Sequence, residues 1–230
     1  MKSWIWDAIE AHIRTKTRLP FYAGLTNQIG GINHQLMLAV QTGTDFLYLD
    51  NSYFGRGSRS RNFRLIRGGI HLTQQLERPS DRRNKWNPTT CEYTRGGRHV
   101  LVIPPSPYFV QFYDAGSWLQ DTTKTLSLST DRPVIIKHDK KVPPLAECLS
   151  DAWAVVTFAS VAGVEAAISG IPVFAGEHCP AYPVTAGTLA DIERPNYPDR
   201  EPWLNSLSYA TWSMDEIETI NLEDYAYSCA

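Results

Sequence analysis

The sequence predicts an α/β protein made of two small Rossmann-like lobes with parallel sheets. Short apolar runs alternate with helical segments of about ten to fifteen residues along most of the chain. The runs at 134–136, 154–156 and 171–174 are almost continuously apolar, as expected for parallel strands covered on both faces. The 230 residues provide enough chain for two small domains. We expect an N-terminal α/β lobe at 1–105 and a C-terminal lobe at 106–230.

The first half of the chain contains elements of unequal strength. Strands are expected at 20–25 and 45–50, and the intervening helix at 27–43 is interrupted early by two glycines. A turn-rich segment leads into a predicted helix at 63–76, which Gly68 and Gly69 weaken. Residues 77–97 are polar and basic and are predicted to form a long loop. At the N-terminus, Asp7 and Glu10 favour a surface helix over a signal peptide.

From residue 98 onward the alternation is regular. Strands are expected at 98–105, 132–138, 154–160 and 171–176, and helices within 106–130 and at 143–152 and 164–170. Gly170 and Pro172 would end the last of these helices. The tail 199–220 reads as two helical stretches, the second capped by Ser213.

Several functional classes are excluded by what the sequence lacks. The four cysteines are scattered without a CxxC pair, which argues against a zinc site or a disulfide framework and favours the cytoplasm. No apolar run is long enough for a membrane span. The phosphate-binding patterns GxGxxG and GxxxxGK[ST] and the hydrolase pattern GxSxG are all missing.

The net charge of −2 hides a basic block at residues 56–98. Eleven Lys or Arg face three acidic residues there, so the block carries +8. It is either a solvated loop or a binding surface for an anion such as a nucleotide or a nucleic-acid backbone. Arginine dominates the block, and its guanidinium binds phosphate through two parallel hydrogen bonds. Arg82, Arg83 and Lys85 are the candidate contacts to a polyanion.

The stretch VVTFASVAGVEAAISGIPVF, at 155–174, has the pattern of a ligand-binding turn. A buried strand leads through small residues into a helix, and backbone amides at a helix start attract phosphate. Ser160, Ala162 and Gly163 would hold that phosphate, and Glu165 would reach a sugar hydroxyl. Any strand–turn–helix of an α/β protein also prefers small residues here, so spacing alone leaves both interpretations open.

The order TFASVAGVEAAISGIPVF resembles the donor-binding signature in the C-terminal half of B-type glycosyltransferases. The preceding RPVIIKHDKK is similar to the lysine-bearing strand of capsule-polysaccharide glycosyltransferases. This resemblance implies that Ser160, Ala162 and Gly163 contact a diphosphate, that Glu165 binds the ribose or orients the loop, and that Lys137 faces the phosphates. The segments YLDNSYFG and IPPSPYF also resemble small phage and prophage proteins.

Further candidates lie in the N-terminal half. Asp50 ends the strand DFLYLD and is either the base that deprotonates an acceptor hydroxyl or the cap of the following turn. Helical spacing would place Arg64, Arg67 and His71 on one face. That face is either the solvent-exposed side of the helix or a positive surface turned toward the pyrophosphate.

The resulting expectation is a cytoplasmic, reduced B-type glycosyltransferase that needs no cofactor or metal. Lobe 1–105 would bind the acceptor, and lobe 106–230 would bind a nucleotide-sugar. The basic block suggests an anionic acceptor, with hydroxymethylated phage DNA and a capsule-like glycan as the options. The alternative is a non-catalytic protein of the same fold that binds a nucleotide or nucleic acid.

Overall fold

A computed structural model describes residues 11–25, 31–55, 61–137 and 143–219. Of the predicted N-terminal helix, residues 11–14 are helical, and the rest lies outside these ranges. The chain forms two compact units. The first runs up to Leu72 and resumes at Leu207, and the second is Thr73–Ser206. This division differs from the predicted boundary after residue 105.

The first unit contains a four-stranded sheet with the order β1-β2-β3-β8. Strands β1 and β2 are parallel, whereas β2–β3 and β3–β8 are antiparallel. Its elements are β1 (Phe21–Ala23), α1 (His34–Thr42), β2 (Leu47–Asn51), β3 (Asn62–Arg67), β8 (Thr211–Ser213) and α8 (Met214–Thr219). The expectation of an all-parallel sheet is therefore wrong for this unit.

The second unit contains an all-parallel sheet with the order β5-β4-β6-β7. Its strands are β4 (His99–Ile103), β5 (Val134–Ile136), β6 (Ala152–Thr157) and β7 (Val173–Ala175). Its helices are α2 (Asp81–Trp86), α3 (Pro107–Tyr113), α4 (Trp118–Ser129), α5 (Leu145–Leu149), α6 (Ala162–Ile168) and α7 (Glu201–Tyr209). The last three residues of α7 lie beyond residue 206, the end of this unit. Two 3₁₀ turns are formed by Tyr182–Val184 and Leu189–Asp191. The α/β class is confirmed, and this unit matches the predicted parallel sheet.

The hydrophobic cores follow the two-residue period of the strands. In the first unit, one face of the sheet buries Leu47, Leu49 and Leu65 against Ile217 of α8. In the second unit both faces of the central strands are buried, because neighbours such as Val155 and Val156 are equally inaccessible. This double coverage explains the near-continuous apolar runs.

The predicted helix at 63–76 is wrong. Residues 62–67 form β3, which Gly68 ends with a left-handed backbone at φ +69°. Phe63 and Leu65 alternate toward the core, and Arg64 lies opposite Asp50 in the β2–β3 ladder. A strand therefore buries the apolar side chains and gives the arginine a charged partner. Strand β8 was not predicted either, because its three residues follow α7 directly.

Two predicted helix boundaries are confirmed in detail. Gly170 lies just beyond α6 with φ +80°, and its amide donates to Ala167 O while the Ile171 amide donates to Ala166 O. This pair of bonds is the Schellman motif, which favours glycine. Ser213 caps α8 as predicted, since its Oγ lies 3.4 Å from the Glu216 amide and Glu216 accepts from the Ser213 amide at 2.8 Å.

Candidate functional site

The winding of the second sheet indicates where a ligand would bind. Strand β5 lies on one side of β4, whereas β6 and β7 lie on the other, so the winding direction reverses between β4 and β6. Open α/β sheets bind ligands beyond the carboxyl ends of their strands at such a reversal. The candidate site is therefore formed by the described residues that directly follow β4, β5, β6 and β7.

Lys137 and Ser160 both reach this carboxyl edge, as the sequence predicted. Lys137 directly follows β5, and its amide donates to Val102 O at 2.9 Å. Ser160 comes three residues after the end of β6. The Lys137 ammonium donates to Pro143 O at 2.8 Å, so a phosphate at this position would compete with that carbonyl.

The amides at the start of α6 are already satisfied within the turn. The Ala162 amide donates to Ser160 Oγ at 3.1 Å, and the Gly163 amide donates to Ser160 O at 3.0 Å. Gly163 is buried, and a side chain there would contact Cys179 Sγ at 3.1 Å. The predicted phosphate contacts of these two amides are wrong. Gly163 instead permits close packing between α6 and the loop after β7.

Glu165 is separated from the carboxyl edge. It lines a different pocket of about 500 Å³ together with Asp151, Ala152 and Ile171. These three residues lie at the amino ends of β6 and β7. The structure therefore does not bring Glu165 to Lys137 and Ser160, as a ribose contact beside the diphosphate would require.

Asp50 and Arg64 belong to the first unit and bind each other. Arg64 Nη2 donates to Asp50 Oδ2 at 2.8 Å, and Tyr48 Oη donates to the same oxygen at 2.9 Å. Arg64 is only 3% exposed, and its other nitrogens donate to the carbonyls of Asn51 and Ile70. A buried guanidinium held in this way cannot face a pyrophosphate, so that prediction for Arg64 is wrong.

Arg67 also forms an ion pair within the first unit. Its Nε and Nη2 donate to the Asp45 carboxylate at 2.9 Å and 2.5 Å, and this bond lowers the pKa of Asp45. Arg64 and Arg67 are three residues apart on a strand, so they project from opposite faces of the sheet. The predicted common face of Arg64, Arg67 and His71 is therefore wrong.

The described residues of the basic block do not all belong to one unit. They divide between the two units, with Arg61, Arg64 and Arg67 in the first and the others in the second. Arg82, Arg83 and Lys85 lie on α2, where Arg83 pairs with Glu201 at 3.1 Å. Four arginines of the block pair with carboxylates from outside it, in the pairs Arg64–Asp50, Arg67–Asp45, Arg83–Glu201 and Arg98–Asp151.

Sequence reasoning missed a pocket of about 400 Å³ at the carboxyl edge. We call it the aromatic pocket. Its lining comes from the end of α3 through Asp114 and Ser117, the start of α4, and the residues after β6 and β7. Tyr113 stacks on His178 with centroids 3.8 Å apart, and Phe158 meets both rings edge-on. Trp118 also meets Phe158 edge-on, with centroids 5.9 Å apart.

His178 is the ionisable group of this pocket that is best suited to proton transfer. Burial lowers the pKa of His178 below its ordinary 6.5, and the Glu177 carboxylate, 3.6 Å from Nε2, opposes this only in part. The imidazole is therefore neutral at pH 7 and can accept a proton. Burial raises the pKa of Tyr113 to about 12, so Tyr113 stays a neutral phenol. The signal in the sequence is the pair Glu177–His178 directly after a buried strand.

No model of a protein family matches the chain, and no curated protein matches it significantly. Within the described ranges, no three His, Cys, Asp or Glu side chains are grouped to hold a metal ion. No helix in those ranges is long and apolar enough to cross a membrane. The case for a function therefore rests on the geometry of the carboxyl edge and on the resemblance of residues 157–174.

Proposed function

We propose that this protein is a glycosyltransferase that uses a nucleotide-sugar and transfers the sugar to a hydroxyl group. The observation that carries the proposal is the aromatic pocket, in which a neutral His178 stacks on Tyr113 at the carboxyl edge of a parallel sheet. Aromatic faces, hydroxyls and carboxylates recognise sugars by packing and hydrogen bonding. The resemblance of residues 157–174 to a donor-binding signature supports the same class.

His178 acts as the general base in this proposal. The imidazole takes the proton of the acceptor hydroxyl while that oxygen forms a bond to the anomeric carbon. The bond between the anomeric carbon and the phosphate oxygen breaks, and the nucleoside diphosphate leaves with the electron pair. The Glu177 carboxylate, 3.6 Å from Nε2, stabilises the imidazolium. Lys137, at the same sheet edge, is the proposed cation for the departing diphosphate, for which Pro143 O must release it.

Asp50 loses its proposed catalytic role because its carboxylate is committed to Arg64 and Tyr48. The contact of Ser160 with the donor is kept as a proposal, since the side chain lies beyond β6 at the same edge. Ala162 and Gly163 contribute packing to this turn.

A panel of UDP-, GDP-, CMP- and dTDP-sugars tests the activity. We expect slow hydrolysis of one donor in the absence of acceptor, with a rate that falls as pH drops below 6.5 because the protonated imidazole cannot serve as base. His178→Asn should lower this rate by roughly 10²–10⁴-fold. His34→Asn, at the exposed start of α1, is the matched control and should leave it unchanged. Equal rates for the His178 variant and the parent protein would refute the assigned base.

A second candidate is a nucleotide-binding protein without transferase activity. It is favoured by the position of Lys137 at the carboxyl edge, because an ammonium group there suits a phosphate whether or not a sugar is transferred. This protein would give a thermal shift with a nucleotide but would hydrolyse none of the four donors. A thermal-shift screen run beside the hydrolysis assay separates the two functions.

A further inference from the structure

The aromatic pocket is lined by acidic residues, which is unusual for a site proposed to lie beside a nucleotide. Asp114, Asp121 and Glu177 line the pocket, and among its described lining residues there is no lysine or arginine. All three acidic residues are exposed to solvent. His178 adds no positive charge at neutral pH, because burial lowers its pKa. The pocket therefore carries a net negative charge and repels anions.

The three carboxylates come from three separate elements. Asp114 ends α3 in a left-handed conformation at φ +50°, Asp121 lies in the first turn of α4, and Glu177 follows β7. Their convergence is thus a product of the tertiary fold, because no single acidic run of the sequence contains them.

The floor of the pocket is aromatic. Phe158 meets Tyr113 and Trp118 edge-on, in each case with ring centroids 5.9 Å apart. Aromatic faces attract cations, and the attraction is strongest where water is partly excluded. Carboxylates and aromatic rings that line the same pocket are therefore together suited to an ammonium group. Ser117 and Thr125 also line the pocket, and their hydroxyls suit a ligand that carries hydroxyls of its own.

We infer that the aromatic pocket binds a protonated, hydroxylated amine, such as an amino sugar, as the acceptor. The role of this amine as the acceptor rests on the proposed function, whereas the recognition of its positive charge rests on the pocket alone. It replaces the anionic acceptor expected from the basic block. The amine is held by Asp114, Asp121 and the aromatic floor, and a hydroxyl of the same molecule is presented to His178.

Binding of glucosamine, glucose and N-acetylglucosamine to the protein of 230 residues at neutral pH tests the inference. Glucosamine carries the cation, and the other two are neutral sugars of similar shape. We expect glucosamine to bind at least about tenfold more tightly than either neutral sugar. The preference should shrink as salt rises, because the carboxylates are exposed. Equal affinity, tighter binding of a neutral sugar, or no binding would overturn the inference.

Asp114→Asn is the most informative variant, since asparagine tolerates the left-handed backbone that Asp114 adopts. It should reduce the preference for glucosamine severalfold, and the double change with Asp121→Asn should abolish it. Glu147→Gln, on α5 outside the pocket, is the matched control and should retain the full preference. A preference that survives the double change in a folded protein would overturn the assigned site.

The binding assay contains no donor, so its result is independent of transferase activity. A preference for glucosamine without hydrolysis of any nucleotide-sugar would support the cation site and contradict the proposed function. Hydrolysis of a nucleotide-sugar without that preference would support the proposed function and overturn the cation site.

Discussion

Arg64 shows how a charged side chain is accommodated in the core of the first unit. Its guanidinium lies between the rings of Tyr48 and Tyr53, with its carbon 5.5 Å and 5.7 Å from their centroids. It donates to one carboxylate and two carbonyls. Burial alone would lower the pKa of Arg64, but the neighbouring Asp50, Tyr48 and Tyr53 together raise it, so Arg64 stays charged. Asp50 is therefore the counterion of a buried cation.

The Asp50→Ala variant is predicted to lose stability. Removing the carboxylate leaves the Arg64 charge buried without its counterion, which costs roughly 3 kcal/mol or more in the free energy of unfolding. Asp45→Ala removes the partner of the more exposed Arg67 and should cost less than about 1 kcal/mol. Chemical denaturation of both variants measures the difference.

The Asp50→Ala variant also tests the catalytic interpretation of Asp50. If Asp50→Ala unfolds at the denaturant concentration of the parent protein but loses donor hydrolysis, Asp50 belongs to the active site. If the folded fraction of the variant keeps its hydrolysis, the role of Asp50 is structural, as its bonds to Arg64 and Tyr48 indicate.

The end of helix α6 packs against residues 91–94 of the second unit. The Thr94 amide donates to Gly170 O, and the Cys91 amide donates to Ile168 O. Arg200 ties the two segments together through Ala167 O and Cys91 O. This loop, part of the predicted irregular segment 77–97, is thus fixed against the helix end by main-chain bonds.

Gly170→Ala is predicted to destabilise the protein by about 2 kcal/mol or more. A left-handed backbone costs a residue with a Cβ about 1–2 kcal/mol, and the new methyl group would overlap the Glu92 carbonyl. Gly43→Ala is the matched control, since Gly43 has φ +65° and no atom within reach of a Cβ. Gly43→Ala should show the backbone cost alone, measured as a shift in unfolding midpoint. Equal losses in the two variants would contradict a clash with Glu92.

The four strands of the second unit could be predicted because each is apolar along most of its length and is bounded by Gly, Pro or polar residues. Helix α2 was not predicted, since it lies inside the segment 77–97 that was expected to be a loop. The first unit offered weaker signals. The stretch NFRLIRGG contains an arginine between apolar residues, and its strand character depends on Asp50 from another element. A partner that is distant in sequence cannot be inferred from local periodicity.

The candidate site was predictable only in part, for a related reason. Lys137 and Ser160 follow apolar runs directly, so their position at the carboxyl edge follows from the parallel strands that precede them. The aromatic pocket depends on α3 and α4 packing beside the loop after β7. The stacking of Tyr113 on His178, 65 residues later in the chain, carries no signature in the sequence.

The charge of the whole chain also shows that local sequence patterns miss partners that are distant in sequence. The +8 block is conspicuous in the sequence, yet its described arginines are divided between two units. Asp45, Asp50, Asp151 and Glu201, all outside the block, pair with four of them. Counting charges along a sequence overestimates a basic surface when the compensating acids arrive through the fold.

Duplex DNA should therefore bind weakly, with little salt dependence. Each phosphate contact contributes a slope of about −0.9 to log K against log salt, because it releases condensed counterions. Arginines that already pair with carboxylates contribute less, so we expect a total slope shallower than about −2. Fluorescence anisotropy with a labelled duplex across a salt series measures this slope. Glu201→Gln and Asp151→Asn, which release Arg83 and Arg98, should make it steeper. A slope near −4 for the unmodified protein would instead show that the block follows a phosphate backbone despite its ion pairs.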